Sequence, residues 1–156
     1  MISAAVIEAL KGFVPEENIS LQEEMAGHTT FRIGGPADCF LQLENEEQLQ
    51  KVQKYLNLVE EPYFILGNGS NLLVDDKGYR GIILQIGKKM GRILVDGCTI
   101  VAQAGALLSQ VARTAYEHSL TGLEFAAGIP GTLGGGVVMN AGAYGGELSQ
   151  VVNLVR

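Results

Sequence analysis

Tryptophan is absent from the 156 residues, histidine and cysteine occur twice each, and proline four times. Cys39 and Cys98 have neither C-x-x-C spacing nor a histidine cluster beside them. That excludes a structural zinc site and a disulfide framework. Both are expected to be reduced, small apolar residues of an intracellular protein. Charge is also scarce, at 18% of residues, and 11 Lys+Arg against 17 Asp+Glu leave a net charge of -6. A broad basic face for nucleic acid is therefore missing. No apolar run approaches the roughly 18 residues that cross a bilayer. The opening MISAAVIEALKG lacks the basic n-region of a signal peptide. A soluble, cytoplasmic protein without membrane insertion is expected, with no metal. Oligomeric state leaves no mark in the sequence.

What is present is apolar side chain and glycine. Hydrophobic residues make up 47%, with a mean hydropathy of +0.19, which excludes a disordered chain. The positive value suggests that some apolar surface expects a partner or more of its own chain. Glycine stands at 21 of 156 residues, well above the usual ~7%. Such a chain depends on tight turns and on backbone lying close to something.

Residues 2–11 have Ile2, Val6 and Leu10 at helical spacing, and residues 15–24 form a polar stretch expected on the surface. A turn-rich segment, 28–36, precedes a strand at 38–43. Asn45 and Gln48 read as the start of a helix over 46–59, with Leu49, Val52, Leu56 and Val59 inward. Pro62 stops it, and residues 63–66 read as a short buried strand that runs into Gly67. Strands are expected at 82–86, 93–95 and 98–103, and a second amphipathic helix over Leu107, Leu108, Val111, Ala112 and Ala115. The order strand, helix, strand suggests a parallel βαβ unit. The pattern restarts near residue 92. The organisation expected is an N-terminal helix and connecting segment (1–27), a first lobe (28–88) and a second lobe (89–156).

Two glycine-rich segments carry the candidate chemistry. Gly67-Asn68-Gly69-Ser70-Asn71 follows a strand end, so consecutive N–H groups on a turning loop can form an anion-binding nest. An ordinary strand-exit turn gives the same residues. Neither a P-loop nor a GxGxxG fingerprint is present, since no GK[ST] follows and position 72 is leucine. The second segment, Gly128 to Gly145, is nearly free of charge. It suits either close backbone packing or a flat ligand. Together they fit a long ligand with a phosphate portion and a planar portion. Arg32 is a candidate phosphate contact or a surface ion pair. His28 reads as a turn residue, because no acid stands at an obvious spacing. His118 reads as a cation at a helix end. Glu124 is expected to hydrogen-bond backbone N–H groups, and Tyr144 to pack on the cofactor or in the core.

Five ordered stretches then become recognisable: HTTFRIGGPAD (28–38), LGNGSNLLV (66–74), GYRGIIL (78–84), GLEFAAGIPGTLGG (122–135) and MNAGAYGGEL (139–148). Together they resemble the bacterial UDP-N-acetylenolpyruvoylglucosamine reductases, in the shorter second type of that family. The resemblance implies an α+β FAD-binding fold of the vanillyl-alcohol-oxidase and p-cresol-methylhydroxylase type, with two small lobes gripping FAD. It implies that Gly67, Asn68, Gly69, Ser70 and Asn71 hold the pyrophosphate. Gly128, Ile129, Pro130, Gly131 and Thr132 line the cofactor nearer its flavin end, and Gly135, Asn140, Gly142 and Ala143 belong to the same wall. Thr30, Arg32 and Gly34 match a segment near the cofactor. Thr132 stands where serine is common and Gly136 where alanine is common.

In the family reaction, NADPH reduces the flavin, which passes hydride to the enolpyruvyl group of a UDP-sugar, and a protein acid adds the proton. Family members run to about twice this length. Their catalytic arginine, serine and late glutamate have no counterpart here, and Arg156 does not take that arginine's place. The chain is therefore expected to be a portion truncated before the substrate-binding domain, one that binds FAD but is inactive alone. The alternative is a stand-alone flavin- or nucleotide-binding module without catalysis. A sugar-lactone oxidase of the same fold is disfavoured by the MNAGAYGG segment.

Overall fold

The computed structural model describes residues 2–156. Contacts divide the chain into two compact units, Met1–Lys89 and Met90–Arg156.

In the first unit, helix α1 (Ala4–Lys11) is capped by the Ser3 hydroxyl, which accepts from the Val6 N–H, and buries Val6 and Leu10. Strand β1 (Ile19–Glu24) pairs antiparallel with β2 (Pro36–Leu43). The polar 15–24 stretch thus contains a strand that its composition concealed. Strand β1 lies at the sheet edge, where polar residues are tolerated, and Leu21 is exposed. Helix α2 (Glu46–Leu58) starts where Asn45 Oδ1 accepts from the Gln48 N–H at 2.9 Å. Gln48 Oε1 returns to the N–H of Glu44 at 2.8 Å, one residue before the cap. Val52 and Leu56 are buried and Leu49 is half-buried. Val59, expected inside, is exposed because the helix has ended there.

Strands β3 (Tyr63–Leu66) and β4 (Tyr79–Ile86) complete a four-stranded sheet in the order β1-β2-β4-β3. Both β2–β4 and β3–β4 are parallel. The expected strand–helix–strand unit exists, with β4 inserted between its two strands. That places β3 at the second edge, so Phe64 and Ile65 are exposed and only Leu66 is buried, against the expectation of a buried strand. Central β2 and β4 read as nearly continuous buried runs, as strands covered on both faces do. One core cluster gathers Met25, Ala37, Phe40, Leu66 and Ile83. Cys39 is buried in β2, and burial pushes its thiol up to about 11, so it is an inert apolar residue.

At the β2–β4 register irregularity, Arg80 pairs with the buried Asp38 at 2.8 Å, and Gln22 Nε2 donates to the same carboxylate at 3.2 Å. These contacts tie three neighbouring strands together near the segment that carries Arg32.

In the second unit, β5 (Ile93–Asp96) and β6 (Thr99–Ala102) form an antiparallel hairpin. The turn holds Gly97 at φ 56° and Cys98, which is exposed rather than packed. Helix α3 (Leu108–Glu117) buries Leu108, Val111, Ala112 and Ala115. A 3-10 turn (Glu124–Gly128) leads to α4 (Leu133–Met139) and a short hairpin of β7 (Gly142–Ala143) and β8 (Gly146–Glu147). Leu108, Ala112, Phe125, Ala126 and Leu148 form the core of this unit.

Candidate functional site

The segment between β1 and β2 folds onto the turn after β3. Met25–His28 forms a 3-10 turn, then Thr29 buries its side chain and donates its hydroxyl hydrogen to the carbonyl of Ile33 at 3.1 Å. Within the turn so closed, Arg32 adopts φ 54°. The N–H of Thr30 donates to the carbonyl of Gly69 at 3.0 Å. Gly34 and Gly35 lie against the loop before β4, and the Gly35 N–H donates to the carbonyl of Asp75 at 3.0 Å.

This folding opens a polar cavity of about 430 Å³, lined by Gly27, His28, Thr29, Thr30, Arg32, Asn68 and Gln85. No carboxylate lines it. Three of the sequence candidates, Thr30, Arg32 and Asn68, meet there from two separate loops. Of the remaining glycine-turn residues, Gly67 and Ser70 are half-buried, Asn71 is exposed, and Gly69 is buried with φ 66°. A Cβ on Gly69 would run into the carbonyl oxygen of His28, so this glycine admits protein backbone rather than a ligand. Gly34 is buried and lies off the cavity wall; its Cβ position meets Val74 Cβ at 2.6 Å.

His28 has a partner that the sequence did not suggest: its Nε2 lies 2.8 Å from Glu23 Oε1. The spacing becomes readable only once 19–24 is known to be a strand lying beside the turn. Gln85, the one polar side chain in the apolar run 82–86, was the available signal for a cavity-facing position.

In the second unit, Thr132 caps α4, its buried hydroxyl oxygen accepting from the Gly135 N–H at 3.4 Å. The N–H groups of Leu133 and Gly134 donate to the carbonyls of Ala106 and Ala104, at 2.7 and 2.8 Å. The first donors of this helix are thus already engaged, and the segment presents a neutral surface rather than an anion nest. The Gly131 carbonyl accepts from the N–H of Leu108, and Ile129 packs on the core. Gly128, Pro130 and Gly135 are exposed. Asn140 ends α4 in the left-handed conformation, with φ 46°, and its Oδ1 accepts from the Ser149 N–H at 2.9 Å. Gly142 and Ala143 pair with β8. Tyr144 is fully exposed at φ 53°, so it does not pack in the core.

Glu124 behaves as its position suggested: Oε2 accepts from the Gly122 N–H and Oε1 from the Thr121 hydroxyl, both at 2.8 Å. Its own backbone N–H, then the Thr121 hydroxyl and the Gly122 N–H, hold the carboxyl below the usual carboxylate range. Glu147 is likewise held low, by the Ser149 hydroxyl and then by Asn140. His118 follows α3, with Nδ1 2.9 Å from the carbonyl of Thr114. Among the described residues, no cluster of three potential ligands could hold a metal ion, and no helix is long and apolar enough to cross a membrane.

A family model described as FAD binding domain matches residues 37–156. The UDP-N-acetylenolpyruvoylglucosamine reductase of Caldanaerobacter subterraneus subsp. tengcongensis is 47% identical over 151 residues, covering 97% of this chain and 50% of that protein. The chain spans about half the length of the curated relatives it matches. Among solved structures, the UDP-N-acetylenolpyruvylglucosamine reductase from Thermus caldophilus aligns with a TM-score of 0.65 and 36% identity, over 83% of this chain and 44% of that one. p-Cresol methylhydroxylase aligns at a TM-score of 0.55 with 17% identity, over 76% and 26%. The fold is the α+β FAD-binding fold of the vanillyl-alcohol-oxidase and p-cresol-methylhydroxylase type.

Proposed function

Because the chain belongs to the FAD binding domain family, whose cofactor is FAD, and matches UDP-N-acetylenolpyruvoylglucosamine reductases along nearly its whole length, we propose that it is the FAD-binding part of such a reductase. The reaction is the NADPH-dependent reduction of the enolpyruvyl group of UDP-N-acetylglucosamine enolpyruvate to UDP-N-acetylmuramate. It serves peptidoglycan precursor synthesis in the bacterial cytoplasm, and through it cell-wall growth, shape and division.

The observation that carries this reading is the cavity that gathers Arg32, Thr30 and Asn68 with no carboxylate on its wall. In a chain of net charge -6, a cation and neutral donors converging without an acid suit an anionic ligand. Arg32 would meet the pyrophosphate with charge, and Thr30 and Asn68 would orient it. Gly67, Ser70 and Asn71 would support that end, while Gly69 admits the His28 carbonyl. Gly128, Ile129, Pro130, Gly131, Thr132, Gly135, Asn140, Gly142 and Ala143 are proposed to serve the planar ring, with Gly128, Pro130 and Gly135 exposed for contact and Thr132 and Ile129 acting from within the fold. Bound FAD supplies the hydride-carrying ring, and the chain's residues bind and orient it.

Residues 1–156 alone are proposed to bind FAD without turnover. The two carboxyl groups flanking the second glycine-rich segment, Glu124 and Glu147, are both held below the usual carboxylate range by hydrogen bonds to neighbouring hydroxyl and amide groups. Protonation by a positioned acid typically contributes roughly 10²–10⁴ in rate. The test follows NADPH and the enolpyruvyl sugar nucleotide with the FAD-loaded chain, with and without oxygen. Loss of NADPH without reduced sugar is expected. Substrate-dependent product formed anaerobically at an enzyme-like rate would overturn the inactivity, and failure to bind FAD would overturn the reading itself.

A further inference from the structure

His28 lies on the wall of the polar cavity, yet its side chain is fastened from outside it. Nε2 stands 2.8 Å from Glu23 Oε1 on β1. A carboxylate only accepts, so Nε2 carries a hydrogen and donates it. The ring lies on Phe40 of β2, with centroids 4.1 Å apart and planes inclined by 31°. The imidazole is thus gripped by two neighbouring strands, with 18% of its side chain exposed. The backbone of the same residue meets the glycine turn, because Gly69 is the residue that lets the His28 carbonyl approach. Two residues on, the Thr30 N–H bonds the Gly69 carbonyl. Thr29 closes the following turn, and Arg32 leaves it in a left-handed conformation.

We propose that His28 is a positioning residue for the anion-binding end of the cofactor site: clamped by Glu23 and Phe40, it fixes the 28–32 segment so that Thr30 and Arg32 face Asn68 across one cavity. This rests on the FAD reading above. The imidazole is assigned a positioning role, held by Glu23 and Phe40. Its effect passes through the backbone to Thr30 and Arg32. The residues facing it from the neighbouring elements are Glu23 and Phe40, and Gln85 and Arg32 share its cavity.

The test measures FAD affinity of the 156-residue chain by flavin fluorescence. The variants are His28→Leu, His28→Gln, Glu23→Leu, Arg32→Met and the double variant His28→Leu/Arg32→Met. His28→Leu and Glu23→Leu are each expected to weaken binding by at least about tenfold, as for loss of one charge-assisted hydrogen bond. His28→Gln, whose Nε2 can reach Glu23, should stay within about threefold of the parent chain. The double variant should be little weaker than Arg32→Met alone, because a mispositioned Arg32 has less to lose. A general loss of stability would make the effects additive.

Unchanged affinity in His28→Leu, no rescue by glutamine, or full additivity would each overturn the proposal. Glu23→Leu gives the same reading should His28→Leu fail to fold. Absence of FAD binding by the parent chain would overturn the FAD reading and this inference together. Binding by the parent with unaffected variants would overturn this inference alone.

Discussion

The N–H of Thr30 donates to the carbonyl oxygen of Gly69 at 3.0 Å, joining the segment before β2 to the turn after β3. This bond brings two separate loops to one cavity. It also changes what a substitution at Gly69 means. With φ at 66° and its missing Cβ aimed at the His28 carbonyl, Gly69 is required by the chain's own packing.

Gly69→Val should therefore destabilise the protein in the absence of any ligand. The left-handed backbone costs a non-glycine residue roughly 1–2 kcal/mol, and the clash with the His28 carbonyl adds to it. Urea denaturation without FAD checks this. A midpoint equal to that of the parent would show that Gly69 is open to solvent and ligand instead. Lost FAD binding in Gly69→Val is, by the same reasoning, not evidence that the turn contacts a phosphate.

Two glycines of α4 should respond in opposite directions to alanine. A Cβ on Gly136 meets only the ends of Leu108 and Leu148, both at 2.9 Å, and flexible tips can move aside. Alanine also improves helix propensity by about 1 kcal/mol. Gly136→Ala is expected to be neutral or stabilising. A Cβ on Gly134 meets Ala104 Cβ at 2.8 Å and the Ala104 carbonyl oxygen at 3.2 Å, where backbone must give way. Gly134→Ala is expected to cost about 1–3 kcal/mol, as overpacking does. Equal melting temperatures for the two variants would contradict this.

Glu124 should contribute to acid sensitivity. Its carboxyl is held below the ordinary value of 4.5 by its own N–H, the Thr121 hydroxyl and the Gly122 N–H. A folded value below the unfolded one gives stability that is present above about 4.5 and lost as pH falls through the lower folded value. Glu124→Gln should therefore melt below the parent at neutral pH and approach it in acid. Melting curves across that range check the sign. A constant difference at every pH would show that the carboxylate charge is not involved.

Much of the fold was legible because the central elements carry strong periodic signals. The cap at Asn45, the buried pair Val52 and Leu56, and Leu108, Val111, Ala112 and Ala115 of α3 follow from residue spacing alone, whereas Leu107, expected on the same face, stands before the helix as its N-cap. The edges were harder to read. Strand β1 is polar on its outer side, and β3 is as apolar as a central strand although Phe64 and Ile65 face solvent. Which strand lies at an edge depends on β4 inserting between β2 and β3, and nothing in residues 63–66 records that. At the candidate site, glycine content marked both segments, but a glycine that admits a ligand and one that admits backbone look alike in sequence. Gly69 proved to be the second kind. The Glu23–His28 pair was invisible until strand pairing placed β1 beside the turn.

In the function proposed, the cavity lined by Thr30, Arg32 and Asn68 binds the anionic end of FAD. The decisive measurement is titration of FAD into the 156-residue chain and into Arg32→Met, followed by flavin fluorescence and by melting temperature. Saturable binding by the parent chain, a rise in its melting temperature with FAD, and an affinity lower by about tenfold or more in Arg32→Met are expected. No saturable binding by the parent, or equal affinity in Arg32→Met, would contradict it.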